Sequence, residues 1–213
     1  MPPKPKYTRE EIIDAAYKIM EHKGIDAVVA REVGKTLNTT TAPIFTYFKT
    51  MEELKNEIYI KACNTCSEFL NGSINYFPAF KEFGLRWYRF ACTYPHVYDL
   101  IFVTPKSGNC EPVYIIDVNF IEILEPMKQE IMKTFDISYR GAGELITNMC
   151  IYVHGVCSLY SKRKEKPGTD VIGKMISKMC ISTVAGIKMT ENSFDEKQML
   201  LWMKENAKPT KKR

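Results

Sequence analysis

The chain has 213 residues, 45% of them hydrophobic and 26% charged, with a formal net charge of +5. These values exclude a disordered chain and leave room for one large or two small domains with a real core. No apolar run reaches the roughly 18 to 20 residues a membrane helix needs, and residues 1–15 are charged where a signal peptide would be apolar, so a cytoplasmic protein is expected.

Thr8-Arg9-Glu10-Glu11 is a capping box, in which the threonine hydroxyl and the glutamate three residues on satisfy each other's backbone amides. Ile12, Ile13, Ala16, Ile19 and Met20 follow at three- and four-residue spacing up to Gly24, which predicts a helix over 9–22. Val28, Val29, Val33 and Leu37 predict a second helix closing at Asn38, a residue that tolerates positive φ. A third is expected after Thr40 as N-cap, with Pro43 in its first turn, running to about Tyr47. Thr50-Met51-Glu52-Glu53 is a second capping box and starts a fourth. Three helices with a tight turn between the second and third make a helix-turn-helix, with Ile44, Phe45 and Phe48 expected in its core.

From Thr8 to Leu54, with Gly24, Ala27, Val33, Asn38, Thr40, Ile44-Phe45, Tyr47-Phe48 and Glu52-x-Leu54 in register, the chain resembles the TetR family of transcriptional regulators. Val29, Asn38 and Met51 stand where that family usually has threonine, glycine and lysine. A recognition helix reads base edges from the major groove while hydroxyls and amides hold phosphates. Thr40 is therefore assigned to a phosphate, Thr41, Ala42 and Pro43 to bases, and Thr46, Tyr47 and Lys49 to the backbone or groove wall. The turn has no Arg, Asn or Gln to read guanine or adenine, so an operator rich in A·T pairs is expected, recognised through thymine methyls.

Beyond residue 51 the pattern stays helical, predicting helices at roughly 51–71, 77–94, 96–102, 112–135, 138–163, 169–189 and 194–206. The fold class is all-α, divided into a DNA-binding domain at 1–50, a ligand-binding and dimerisation domain at 51–206 and a basic tail at 207–213. Segment 148–160 is apolar or aromatic nearly all round, which marks a helix with protein on more than one side. In the last long helix Ile172, Met175, Ile176, Met179, Thr183, Val184 and Ile187 form a stripe assigned to a homodimer. A four-helix bundle of symmetry mates is also how the TetR family dimerises.

Trp87, Phe90, Tyr94, Tyr98, Phe102, Phe120, Met127, Met149, Tyr152 and His154 are the candidate lining of an effector site. Such a cluster is first of all core, and only then a pocket. Arg86, Arg89, His96 and His154 are the candidate polar groups within it. Val153-His154-Gly155 is similar to the Trp-His-Gly signature of a ligand-binding subgroup of the family, with Val153 in place of the tryptophan.

The seven cysteines are odd in number and scattered through apolar helical patterns, as reduced thiols would be. No Gly-rich phosphate loop, nucleophile elbow or His-Glu-x-x-His is present, so neither an enzyme nor a cofactor is expected. The expectation is a homodimeric transcriptional repressor, released from a palindromic double-stranded DNA operator by a small apolar or aromatic effector. The alternative is a cysteine-based redox or metal-responsive DNA-binding regulator.

Overall fold

A computed structural model describes residues 7–71, 79–104 and 121–192, and among them every regular element is helical. Helix α1 (Arg9–Lys23) opens with the expected capping box at Thr8 and ends at Gly24, whose φ of +83° favours glycine. A Cβ there would also lie 3.5 Å from His96 Nδ1.

The second predicted helix is shorter than expected. A 3-10 turn, Ile25–Ala27, comes first, and α2 (Ala30–Thr36) starts only after the extended residue Val29. Val29 is an N-cap with no side-chain acceptor, and its apolar side chain is 46% exposed. Asn38 turns the chain at φ +51°, as expected. That turn lies so close to α2 that a Cβ on Gly34 would meet Thr39 O at 3.0 Å.

Helix α3 (Ala42–Tyr47) is capped by Thr41, not Thr40, and Thr41 makes no side-chain capping bond. The turn through Asn38 and Thr39 uses one residue more than the expected cap allowed, since Thr39 N still donates to Gly34 O at 2.9 Å. At α4 (Met51–Asn71) the Thr50 hydroxyl accepts from Glu53 N, but the Glu53 carboxylate accepts from Lys49 N and not from the cap amide.

The larger part consists of α5 (Ala79–Thr93), α6 (Pro95–Phe102), α7 (Ile121–Phe135), α8 (Tyr139–Tyr160) and α9 (Thr169–Asn192). The predicted stretches 112–120 and 194–206, the tail at 207–213 and Phe120 lie outside the described residues. Ser138 caps α8 by accepting from Gly141 N, and Glu191 near the end of α9 accepts from Ser138 N, so these two helices are tied at one end. One buried cluster runs from Ile12 in α1 to Ile187 in α9. Within it α6 packs against both α1 and α4, so the amino-terminal helices share their core with the larger part.

Replacing Val29 by threonine supplies the missing cap acceptor and removes an exposed apolar side chain. It should raise stability by about 1 kcal/mol, measured by urea unfolding. An unchanged or lower midpoint would show that α2 is not limited by its cap.

Candidate functional site

Ile44 and Phe48 are buried at 0% and 2% exposure, packing one side of α3 into the core as expected. Phe45 is not core. It is 49% exposed, because successive helical residues point about 100° apart and Ile44 already takes the inward direction. The outward face of α3 therefore carries Ala42, Phe45 and Thr46, with Lys49 exposed just beyond it and Thr40 exposed just before it. Thr41, Pro43 and Tyr47 are half-buried.

Two of the residues assigned to the DNA backbone or groove wall have their donors engaged inside the protein. The Thr46 hydroxyl donates to Ala42 O at 3.2 Å, and the Tyr47 hydroxyl donates to Tyr7 O at 3.0 Å. A phosphate oxygen only accepts, so neither group is free to serve it in this geometry. Tyr7 in turn donates to Leu37 O, and the two tyrosines thus pin the segment before α1 to the turn between α2 and α3. Arg9 extends the same seam, ion-paired with Glu57 at 2.6 Å and lying over the Phe48 ring at 5.1 Å.

A short, externally unencumbered helix, rolled by two buried side chains and preceded by a tight turn against α2, is the geometry of a major-groove reader. Residues 12–58, which contain it whole, match the family model described as bacterial regulatory proteins, tetR family. These residues form a TetR-type DNA-binding domain, and the protein that carries it is a DNA-binding transcriptional regulator. No curated protein matches the chain. The TetR-type domain accounts for DNA binding, not catalysis, and no described helix is long and apolar enough to cross a membrane.

The residues expected to line an effector site come together, but they fill one another's space. Trp87, Phe90, Tyr98, Met127 and Met149 are each at most 2% exposed, while Tyr94, Phe102, Tyr152 and His154 are half-buried. Trp87 sits 5.2 Å from Phe102, and Phe102 lies 4.9 Å from Tyr98, measured between ring centroids. The cavity bordered by Trp87 and Met149 measures ≈ 10 Å³, about the space of one water. A cleft of ≈ 220 Å³ lies elsewhere, between α5, α7 and α9, and none of the expected effector residues borders it.

Polar groups in this core are mostly paired. Arg86 and Arg89, expected to face an effector, converge instead on Glu82 at 3.2 and 2.7 Å. Tyr98 donates its hydroxyl to His154 Nδ1 across 2.6 Å, and burial holds the His154 pKa below its usual value, so the ring accepts as neutral imidazole. His96 lies against Gly24. Trp87 Nε1 is buried with no hydrogen-bond partner among the described residues.

Most of the stripe assigned to the dimer interface packs within the single chain. Ile172, Ile176, Val184 and Ile187 are buried within the single chain, where α9 packs on α5 and α8, and Met175 is half-buried against the same core. Of the stripe, Met179 is exposed and Thr183 half-buried. On α8 and α9 the exposed large apolar side chains include Ile151, Leu159, Val171, Met179, Ile181 and Met189. Among the described residues, outside the helix's own backbone, nothing lies within 4 Å of where a Cβ would stand on Gly155 or Gly186.

Cys63, Cys66, Cys150 and Cys157 are buried. Burial pushes Cys150 and Cys157 up to about 12 and raises Cys66 as well. Among the described residues no group of three His, Cys, Asp or Glu side chains is placed to hold a metal ion.

Lys49→Ala should lower the slope of log affinity against log salt by about one unit per half-site contact, measured by anisotropy on duplex DNA. Tyr47→Phe should leave that slope unchanged and cost about 1 kcal/mol of stability instead. A reduced slope for Tyr47→Phe would reinstate its hydroxyl as a phosphate ligand.

Proposed function

We propose that the protein is a homodimeric, effector-responsive repressor acting in the cytoplasm, with residues 1–50 as the DNA-binding domain, 51–206 as the effector and dimerisation domain, and 207–213 as a basic tail that adds general attraction to DNA. Repression is favoured because such a domain blocks a promoter simply by occupying it. The observation that carries effector response is the packing of α6 on both α1 and α4. Any movement of α6 is transmitted to the roll or spacing of the recognition helices. A coupling of about 1–3 kcal/mol suffices to change operator affinity by roughly 5- to 150-fold.

The effector enters by parting the rings around Trp87, where the cavity among the described residues measures only ≈ 10 Å³. An apolar or aromatic molecule carrying one hydrogen-bond acceptor suits that place, because Trp87 Nε1 offers a buried donor without a partner among the described residues. Its test is a screen of such compounds against a fluorescent operator duplex, with Trp87 emission recorded in parallel. An effector that releases DNA without perturbing Trp87, in a variant whose Trp202 is replaced, would place its site elsewhere.

The dimer forms through the outer faces of α8 and α9. Asn148, Ile151, Gly155 and Leu159 recur along one side of α8, and Met179, Thr183, Gly186 and Thr190 along the adjacent side of α9. Asn148 of the first row and Thr183, Gly186 and Thr190 of the second line a groove of ≈ 380 Å³. Open space at Gly155 and Gly186 permits close approach of a second pair of helices. Changing Ile151 and Leu159 together to aspartate should shift sedimentation from dimer to monomer at micromolar concentration and weaken operator binding at least tenfold. A double variant that remains dimeric would place the interface elsewhere.

The cysteine-based alternative fares worse. A thiol with a pKa of about 12 is thiolate in only about one part in ten thousand at pH 8, and thiolate is the reactive form. Iodoacetamide at pH 8 under native conditions should therefore leave Cys150 and Cys157 unmodified by mass spectrometry and operator affinity unchanged. Rapid alkylation with loss of DNA binding would revive the redox reading.

A further inference from the structure

We propose that Phe45 is the main specificity-determining side chain of the recognition helix, reading thymine through its 5-methyl group by apolar contact in the major groove. The inference rests on the DNA-binding function and adds to it the chemistry of readout. Three observations carry it. Phe45 is the only large apolar side chain that α3 presents outward, at 49% exposure, while its neighbours Ile44 and Phe48 hold the helix by burial. The hydroxyls at either side of it are engaged, Thr46 with Ala42 O and Tyr47 with Tyr7 O. The only other exposed side chain one turn before it is the methyl of Ala42.

Base edges in the major groove offer hydrogen-bonding atoms and, at thymine alone, a methyl group. Beside Phe45 this face has no guanidinium or amide to pair bidentately with a base, and the Thr46 hydroxyl is already spent as a donor. The ring of Phe45 and the methyl of Ala42 suit the thymine methyl. Phe45 and Ala42 are three residues apart, so both touch the same stretch of groove.

The experiment starts from duplexes selected by the full-length protein from a random pool. In the best of them each thymine is replaced singly by deoxyuridine, which removes the methyl and leaves every hydrogen-bonding atom in place. Affinities are measured at one fixed salt concentration. For the native protein one or two replacements per half-site should weaken binding about fourfold each, the effect of one buried methyl. Phe45→Ala should be indifferent to those same replacements, with an unchanged salt slope on nonspecific DNA and an unaltered circular dichroism spectrum. Phe45→Leu, which keeps an apolar side chain, should retain the sensitivity. The proposal is overturned if the native protein and Phe45→Ala respond alike to every replacement, or if the selected half-sites hold no thymine at a sensitive step. Absence of binding to any duplex by the native protein at low salt would instead overturn the DNA-binding function itself.

Discussion

A helix of six residues cannot hold its own shape in water. Nucleation fixes several residues for each hydrogen bond gained, and isolated helices shorter than about 12 residues are marginal. Helix α3 is therefore maintained by what it buries, Ile44 and Phe48, each contributing roughly 1.5–3 kcal/mol of transfer free energy, and by the Tyr47 hydroxyl on Tyr7 O. The same two anchors fix its roll about its axis. Function follows from that constraint, because the side chains left outward are the ones that the core did not need.

The core that holds α3 is continuous with the rest of the chain. Helix α4 runs 21 residues without a break, starting at the DNA-binding end and packing against α5 and α6 in the larger part. Asn38 and Gly34 let the turn before α3 lie directly on α2. Gly24 lets the chain after α1 come close to His96 at the start of α6. Each contact is short and dense, and dense packing transmits displacement instead of absorbing it.

Much of this was legible in the residues, and what was not has physical causes. Helix starts are local events, so the boxes at Thr8 and Thr50 located α1 and α4 correctly. Positive φ at Asn38 is likewise a property of one side chain and its neighbours. The direction of Phe45 was misread because a six-residue helix has too few turns for a period to declare which face is inward. The stripe on α9 was real, yet a stripe reports only that something covers it. Here α5 and α8 of the same chain do so, and the exposed apolar row lies to one side. Thr46 and Tyr47 carry the right chemistry for phosphate, and only coordinates reveal that their hydrogens point to Ala42 and Tyr7. In the same way the aromatic cluster was visible, but not that its rings close on one another.

A closed cluster changes how the proposed effector must work. A ligand that fills a preformed cavity adds contacts, and its effect on distant parts depends on small differences between two existing shapes. One that parts packed rings must move them. Trp87 stands 5.7 Å from Phe83 on its own helix and 5.2 Å from Phe102, the last residue of α6. Displacing the indole therefore pushes on α6, whose other end lies against α1. The cost of opening the core lowers effector affinity by the fraction of molecules already open, and the same cost is what makes the ligand discriminate between the two arrangements. On the proposed reading tight packing and regulation are one property, since a roomier core would bind more readily and move the recognition helices less.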